Sequence, residues 1–277
     1  MVLWSTGFVV AHYGTEDAGP LTFLAIRLSI AAVVLWVVAR ITRAPRIARP
    51  AAGWAALSGI GMHALYLGGV FLAISWGMPS GVSALIAGLH PVLTTVNARL
   101  LLGERLTRPQ ALGVVLGFSG VVVVVIERLS VNSVGMSTGA LVASAVSVVG
   151  MSVGTLLQRR HGAGMPLLDG TVCQYAASAA LLAIGAALHA DEGFDVTSRS
   201  VFALAWAIGV LSIAAVLIML WLLQRHAAAK VSSLFFLTPA LSAIEGAILF
   251  GERLGVLALT GLVVALLGVS MTLRSSR

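Results

Sequence analysis

Long apolar stretches, separated by short polar segments, occupy almost all of the 277-residue chain. A helix needs about 20 mainly apolar residues to cross the ~30 Å hydrocarbon core of a bilayer. All stretches but the first approach that length, so the pattern predicts an all-α, polytopic membrane protein with ten transmembrane helices. The short first stretch indicates that the chain starts late, or that interfacial residues complete its helix. The ten stretches cover residues 2–13, 20–39, 52–75, 80–101, 109–126, 137–157, 166–189, 200–223, 231–250 and 255–273.

The composition supports the same interpretation. Charged residues make up only 10% of the chain and hydrophobic residues 59%, whereas soluble globular domains carry roughly 25% charged residues. No room remains for a soluble catalytic domain. The formal net charge of +7 does not indicate nucleic-acid binding, because the basic residues lie mostly in short gaps between apolar stretches. Basic residues in such gaps are typical of membrane topology signals.

The distribution of these basic residues predicts the orientation of the helices. If the N-terminus is cytoplasmic, thirteen lysines and arginines fall on the cytoplasmic side and only three, Arg128, Arg199 and Arg253, fall outside. An excess of positive charge is characteristic of cytoplasmic segments. Both termini are therefore predicted to be cytoplasmic.

An internal repeat is present in the sequence. Residues 89–121 align without gaps with residues 237–269, at an offset of 148 residues. Both segments contain a proline, Pro91 or Pro239, twelve residues before the tetrapeptide Gly-Glu-Arg-Leu. Shared leucines and valines mean little in apolar helices, but a shared proline at a fixed distance from a shared polar motif indicates duplication.

The helix count gives the geometry of this repeat. Equivalent positions lie five predicted helices apart, and because five is odd the second half enters the membrane in the opposite sense. The sequence thus predicts two inverted five-helix repeats, residues 1–130 and residues 131–277. In secondary transporters such repeats hold the substrate site between them, near the middle of the membrane. The favoured function is therefore transport of a small solute, with a channel or a scaffold of the same fold as alternatives.

Three motifs carry a resemblance to a known family: L-x-P-x-L…LLGERLT within residues 89–121, its repeat within residues 237–269, and P-L-T-F-x-A-x-R at residues 20–27. Together they resemble the EamA-type drug/metabolite transporter superfamily over essentially the whole chain. The second Gly-Glu-Arg motif departs from the pattern because it lacks the Thr and Gln that follow the first. The resemblance implies ten helices in two inverted halves. It also implies export of small metabolites, especially amino acids with apolar or aromatic side chains, across the bacterial inner (plasma) membrane.

The two repeated prolines are candidate hinge or kink residues. Each lacks an N–H group and clashes with the carbonyl four residues earlier, which frees the carbonyls of Ala87 and Phe235. Free carbonyls at membrane depth are tolerated only beside protein groups or a water-filled cavity. Pro91 and Pro239 therefore predict either simple packing kinks or flexible elements that line the transport cavity.

Five residues are candidates for substrate binding. His63 and Tyr66 lie three residues apart near the middle of the third predicted helix and so share one helix face. Such side chains should face the bundle interior, where they could bind substrate or only hydrogen-bond to neighbouring helices. His90, its repeat equivalent Thr238, and Phe235 extend the predicted substrate-binding group, although His90 could equally satisfy a local carbonyl.

Two charged residues lie well inside predicted helices, away from their ends. Glu245, at the position matched by Asn97, is a candidate for proton coupling or for binding a substrate amino group. It could instead reach the interface or pair with an arginine. Arg27 lies about 10 Å deep by helical rise, and we expect a structural contact there, to a carboxylate or a loop carbonyl.

The pairs Glu104–Arg105 and Glu252–Arg253 are predicted to be structural anchors of two interfacial turns. The sequence contains no phosphate-binding loop, no His/Cys cluster with metal-ligand spacing and no Ser/His/Asp set that would nominate a catalytic site. We therefore expect no enzymatic activity, no cofactor and no metal. The alternative, a membrane-embedded lipid-modifying enzyme, would need clustered acid–base or metal-binding residues at one interface, and the sequence shows none. The expected partners are a small-molecule substrate and the lipid bilayer; nucleic acid is not one. The sequence does not define an oligomeric state and is compatible with a monomer.

Overall fold

The structure, a computed structural model, describes residues 2–103, 107–131, 137–189, 193–219, 241, 245, 248–249 and 255–274. In these residues all regular secondary structure is helical, apart from one isolated β-bridge between Ala18 and Phe194. Six helical stretches are long and apolar enough to cross a bilayer, and two shorter apolar helices accompany them. The prediction of an all-α, multi-pass membrane protein is therefore confirmed in the described part of the chain.

The described helices follow the predicted apolar stretches, with three interruptions. The third stretch forms two α-helices joined by a π-helical segment, the fourth forms two separate α-helices, and in the eighth an α-helix passes into a π-helical segment. The described helices are α1 (Val2–Gly14), α2 (Pro20–Ile41), α3 (Arg49–Gly59), α4 (Tyr66–Ser75), α5 (Ser80–Ala87), α6 (His90–Leu102), α7 (Arg108–Val131), α8 (Thr138–His161), α9 (Leu167–Leu188), α10 (Ser198–Trp206) and α11 (Val256–Arg274).

Local sequence signals set several helix ends. Pro20 and Pro50 occupy the first turns of α2 and α3, where a missing N–H group costs nothing. At the start of α8 the Ser137 hydroxyl accepts a hydrogen bond from the Ala140 N–H at 3.1 Å. Helix α6 ends at Gly103, whose φ of +70° lies in the left-handed region that glycine adopts without strain.

Three helix contacts organise the bundle, two of them between helices that lie 148 residues apart in the sequence. Helix α2 packs along α9, α7 packs along α11, and the α3–α4 unit packs against α8. The largest buried side chains of the core include Phe23 and Phe71, whose rings stack with centroids 5.7 Å apart. Many large apolar side chains remain exposed, among them Leu188 at 83%. An apolar exterior of this extent is suited to contact with lipid.

Two π-helical segments interrupt the helices. The first segment, Ile60–Leu65, joins α3 to α4, and the second, Ala207–Ala214, directly follows α10. At the 148-residue offset, residue 60 corresponds to residue 208, so the two segments occupy equivalent positions. Segments with π-helical geometry are rare and occur frequently at functional sites. The hydrophobic pattern did not predict them.

The first π segment lies in close contact with α8 through glycine. A Cβ atom at Gly61 would lie 2.6 Å from the carbonyl oxygen of Gly150 and 2.8 Å from the Cα of Gly154. A side chain therefore cannot be added there unless the helices separate. The equivalent residue of the second π segment, Gly209, has no described atom within 4 Å of such a Cβ.

Two interhelical contacts, here called clasps, tie the ends of the bundle. In the first clasp, Asp17 Oδ2 in the α1–α2 loop accepts a hydrogen bond from the Thr197 hydroxyl at 2.7 Å. The same oxygen lies 3.9 Å from Arg199 Nε. In the second clasp, Asp169 of α9 accepts a hydrogen bond from the Ile47 N–H at 2.9 Å and pairs with Arg40. The first clasp thus fixes the segment before α10 to Asp17, and the second fixes the segment before α3 to Asp169.

Candidate functional site

The fourth predicted helix is broken at Pro91. Helix α5 ends at Ala87 and α6 begins at His90, so Pro91 is the second residue of a new helix. The carbonyl of Ala87, which the proline leaves without a helical donor, lies 3.2 Å from the Nδ1 atom of His90. His90, a candidate for substrate binding, therefore contacts a local carbonyl. This contact is the alternative role that the sequence suggested for it. Its other ring nitrogen has no described hydrogen bond.

His63 lies in the first π segment and belongs to a buried polar network. The Ser58 hydroxyl and the Gln174 amide both donate to Gln158 Oε1, each at 2.9 Å. Gln174 Oε1 lies 3.3 Å from His63 Nε2. Because Gln174 uses its amide nitrogen toward Gln158, its oxygen must accept, and the proton lies on His63 Nε2. The ring edge of His63 also meets the ring of Tyr175, with centroids 4.8 Å apart.

Tyr66 is the first residue of α4, one residue beyond the first π segment. Its ring is half-buried and packs against the apolar core. Among the described residues its hydroxyl has no hydrogen-bond partner. The two candidates of the third helix thus differ: His63 is engaged with α9, whereas the Tyr66 hydroxyl is available to a ligand.

Arg27 is buried, with 5% of its surface exposed. Its Nε–H group donates to the hydroxyl of Ser212, in the second π segment, at 2.9 Å. The carbonyl of Ser212 accepts a hydrogen bond from the Tyr175 hydroxyl at 3.3 Å. The described partner of Arg27 is therefore a neutral hydroxyl, and neither a carboxylate nor a loop carbonyl.

Glu245 contacts the first helix. The hydroxyl of Ser5, which is fully buried, donates to Glu245 Oε1 at 2.7 Å. Oε2 of the same carboxylate is buried and has no hydrogen-bond partner in the described part of the chain. At the equivalent position of the first half, the Asn97 amide donates to the Ser152 hydroxyl at 2.8 Å. Positions 97 and 245 therefore make corresponding contacts, one with a neutral amide and one with a carboxylate.

The second π segment contacts both α2 and α1. Ser212 accepts a hydrogen bond from Arg27, and the carbonyl of the preceding residue, Leu211, accepts a hydrogen bond from the Trp4 indole at 3.3 Å. The segment is thus fixed to α2 through Arg27 and to α1 through Trp4.

A groove of about 400 Å³ lies between α1 and α10. Its wall is almost entirely apolar, with three aromatic side chains and one arginine. The Trp206 indole donates to the Thr6 hydroxyl at 3.0 Å and so joins the two helices. The groove is lined by Thr6, Val9, Val10, Tyr13, Arg199, Phe202, Ala203 and Trp206.

Several predicted residues lie outside the described part of the chain. They are the substrate candidates Phe235 and Thr238, the hinge candidate Pro239 and the anchoring pairs Glu104–Arg105 and Glu252–Arg253. Among the residues that are described, no group of three or more His, Cys, Asp or Glu side chains could hold a metal ion.

Sequence reasoning missed five residues of these polar contacts: Ser58, Gln158, Gln174, Tyr175 and Ser212. Each is a polar residue in or at the end of an apolar stretch, a signal that was present in the sequence. The repeat also carried a signal, because the 148-residue offset pairs Tyr175 with Arg27. Both residues contact Ser212 of the second π segment, and Tyr175 also meets His63 of the first.

Comparison with known proteins identifies a family. The EamA-like transporter family model matches residues 1–126 and 137–274. A probable amino-acid metabolite efflux pump of Salmonella typhimurium is 26% identical over 282 residues, which cover 97% of this chain and 90% of that protein. An uncharacterized inner membrane transporter of Escherichia coli is 24% identical over 259 residues, covering 91% of this chain and 81% of that protein.

Two further comparisons bear on substrate and fold. A probable terminal-alkyne amino-acid exporter of Streptantibioticus cattleyicolor is 29% identical over 131 residues, 46% of this chain and 42% of that protein. One chain of known crystal structure superposes with a TM-score of 0.66 at 21% identity, covering 99% of this chain and 95% of that chain. The second likeness shows a shared fold.

Proposed function

Because this chain belongs to the EamA-like transporter family and is a multi-pass membrane transporter, we propose that it exports amino acids with apolar or aromatic side chains across the bacterial inner membrane. The family describes transporters, which supports the expectation that the chain is not an enzyme. Relatives named as amino-acid efflux proteins support the substrate class.

The mechanism we propose is alternating access between two inverted five-helix halves, residues 1–130 and 131–277, with both termini in the cytoplasm. One observation carries it: structural features recur at the 148-residue offset. The two π segments occupy equivalent positions, and α2 and α7 pack along the helices at that offset, α9 and α11. Packing between equivalent helices suits two similar units that rock against each other around a central site.

In this proposal the residues have distinct roles. His63 and Tyr66, together with His90 and the unplaced Phe235 and Thr238, contact the substrate. The helix break at Pro91 allows the fourth helix to bend, and we expect Pro239 to let the ninth predicted helix do the same. Glu245 couples transport to a proton or binds the substrate ammonium group.

The test is counterflow in liposomes that contain the purified protein. Vesicles loaded with an unlabelled amino acid should accumulate the labelled form, and uptake should saturate, because a carrier exchanges its substrate. Flux that neither saturates nor exchanges would favour a channel. Failure of every amino acid and of a broad metabolite panel to move would refute the proposal.

Variants at the first π segment test the site. We expect His63→Ala and Tyr66→Phe to reduce counterflow several-fold while the amount of folded protein stays unchanged. His161→Ala is the matched control, since His161 stacks on Trp54 with ring centroids 3.7 Å apart and lies at the end of α8. Unchanged counterflow in both test variants would exclude these two residues from substrate binding.

A further inference from the structure

The groove between α1 and α10 opens on the outer surface of the helix bundle. Phe202, one of its lining residues, is 67% exposed. Ala205 and Gly209 follow Phe202 at spacings of three and four residues, and both are exposed as well. At its other end the groove reaches Trp206, which helical rise places about 12 Å deeper than the first residue of α10. This depth lies in the hydrocarbon of a bilayer, so a groove that opens here meets lipid chains.

The internal repeat shows that equivalent helices can pack without such a groove. At the 148-residue offset, Tyr13 and Phe202 correspond to His161 and Trp54. The latter two rings stack across α3 and α8, with centroids 3.7 Å apart and planes 4° apart. Among the described residues no ring contact crosses the groove, and Phe202 lies against Trp206 of its own helix with centroids 6.0 Å apart. Aromatic rings occupy both pairs of positions, so side-chain size there does not explain why one cleft is filled and the other is open.

Three charged side chains stand together at the outer end of the groove. Arg199, which lines it, pairs with Glu16, and its Nε atom lies 3.9 Å from Asp17 Oδ2. All three side chains are partly exposed and can reach a ligand. One guanidinium beside two carboxylates leaves one negative charge in excess. A headgroup with both a phosphate and a primary ammonium complements this arrangement, because the guanidinium fork suits phosphate and the carboxylates accept from the ammonium. An anionic headgroup without a cation would face like charge.

We propose that this groove is a binding site for one phospholipid with a phosphoethanolamine headgroup. An acyl chain lies along the apolar, aromatic walls, which require no hydrogen bonds from it. The phosphate contacts Arg199, and the ammonium group contacts Glu16 and Asp17. The bound lipid joins α1 of the first half to α10 of the second half. The site is separate from the proposed substrate-binding residues and does not depend on which solute the protein moves.

The headgroup is tested with three lipids that share dioleoyl chains: phosphatidylethanolamine, phosphatidylcholine, whose cation has no N–H donor, and phosphatidylglycerol, which has no cation. Native mass spectrometry of the detergent-purified protein counts the lipid that each sample retains. Wild type should retain phosphatidylethanolamine several-fold better than the other two. Arg199→Gln should lose most of that retention and Arg199→Lys should restore part of it, whereas Glu16→Gln should lose the preference over phosphatidylglycerol. Arg108→Gln, at an exposed cation of α7 outside the groove, should keep the wild-type preferences.

The acyl chain is tested by filling the groove from either wall. Ala203→Leu and Val9→Phe add apolar volume where the groove leaves room, so both proteins should fold, keep a Tm near that of wild type without lipid, and retain none of the three lipids.

Three results would overturn the proposal. They are equal retention of phosphatidylethanolamine and phosphatidylglycerol by wild type, wild-type lipid retention in both filled variants, and displacement of the lipid by phenylalanine, which would assign the groove to the substrate path. Because none of these readouts measures transport, failure of amino-acid export would leave the lipid site standing.

Discussion

Adding a single methyl group at the contact between the first π segment and α8 tests the structure directly. A Cβ at Gly61 would lie 2.6 Å from the Gly150 oxygen, whereas ordinary contact begins at 3.4 Å. The two helices must therefore move apart by about 0.8 Å, the difference between these distances. Because the Gly150 oxygen and the Gly154 Cα both belong to the backbone, no side-chain rotation can relieve the overlap.

The expected cost follows from this overlap. Overpacking of a well-packed interface costs about 1–3 kcal/mol, while replacing glycine by alanine in a helix returns roughly 0.5–1 kcal/mol. Taking the middle of each range, Gly61→Ala should therefore lower the free energy of unfolding by about 1 kcal/mol. At roughly 2–4 °C per kcal/mol for a chain of this size, its Tm should fall by roughly 2–4 °C.

The repeat offers a matched control. Gly209→Ala places the same methyl group at the equivalent residue, where no described atom lies within 4 Å. Only the gain in helix propensity remains, so the Tm should rise by roughly 1–4 °C. Thermal melting of the detergent-purified proteins, followed by size-exclusion recovery, measures both changes. A Gly61→Ala protein as stable as wild type, or a Gly209→Ala protein destabilised as much, would refute the packing described here.

Three other substitutions test the clasps and the helix break. Asp169→Asn removes the ion pair with Arg40, and we expect the free energy of unfolding to fall by about 1–3 kcal/mol; an unchanged Tm would exclude the second clasp. Thr197→Val removes both a helix cap and the contact with Asp17, which should cost about 1 kcal/mol in the same assay, whereas Thr197→Ser should restore most of it. Pro91→Ala should change stability by less than about 1 kcal/mol, because the proline already begins a helix; a gain near 3 kcal/mol, typical for a proline within a continuous helix, would contradict the break.

The hydrophobic pattern predicted the helices well because the bilayer imposes their length and every backbone group must be bonded within them. Pro91 predicted the interruption of the fourth helix for an equally local reason, since its ring excludes a hydrogen bond to Ala87. Arg27 was predicted to have a structural partner, but its partner, Ser212, is 185 residues away. Nothing in the local pattern specifies such a contact.

The polar network resisted prediction for the same reason. His63 and Gln174 are 111 residues apart, and they meet only because α9 packs against the first π segment. The π geometry itself leaves no compositional signature in an apolar stretch. Comparison of the two halves position by position could have paired Arg27 with Tyr175. Their contacts with Ser212 follow only from the position of the second π segment, which the sequence does not give.

The matched π segments also record the order of events in the history of the gene. A π-helical turn holds one residue more than an α-helical turn, so it enters a helix as an insertion. Two separate insertions at the same register, Ile60–Leu65 and Ala207–Ala214, would be a coincidence, whereas one insertion in an ancestral half-length gene accounts for both. If the 148-residue repeat arose by duplication, the irregular turn is therefore older than the duplication.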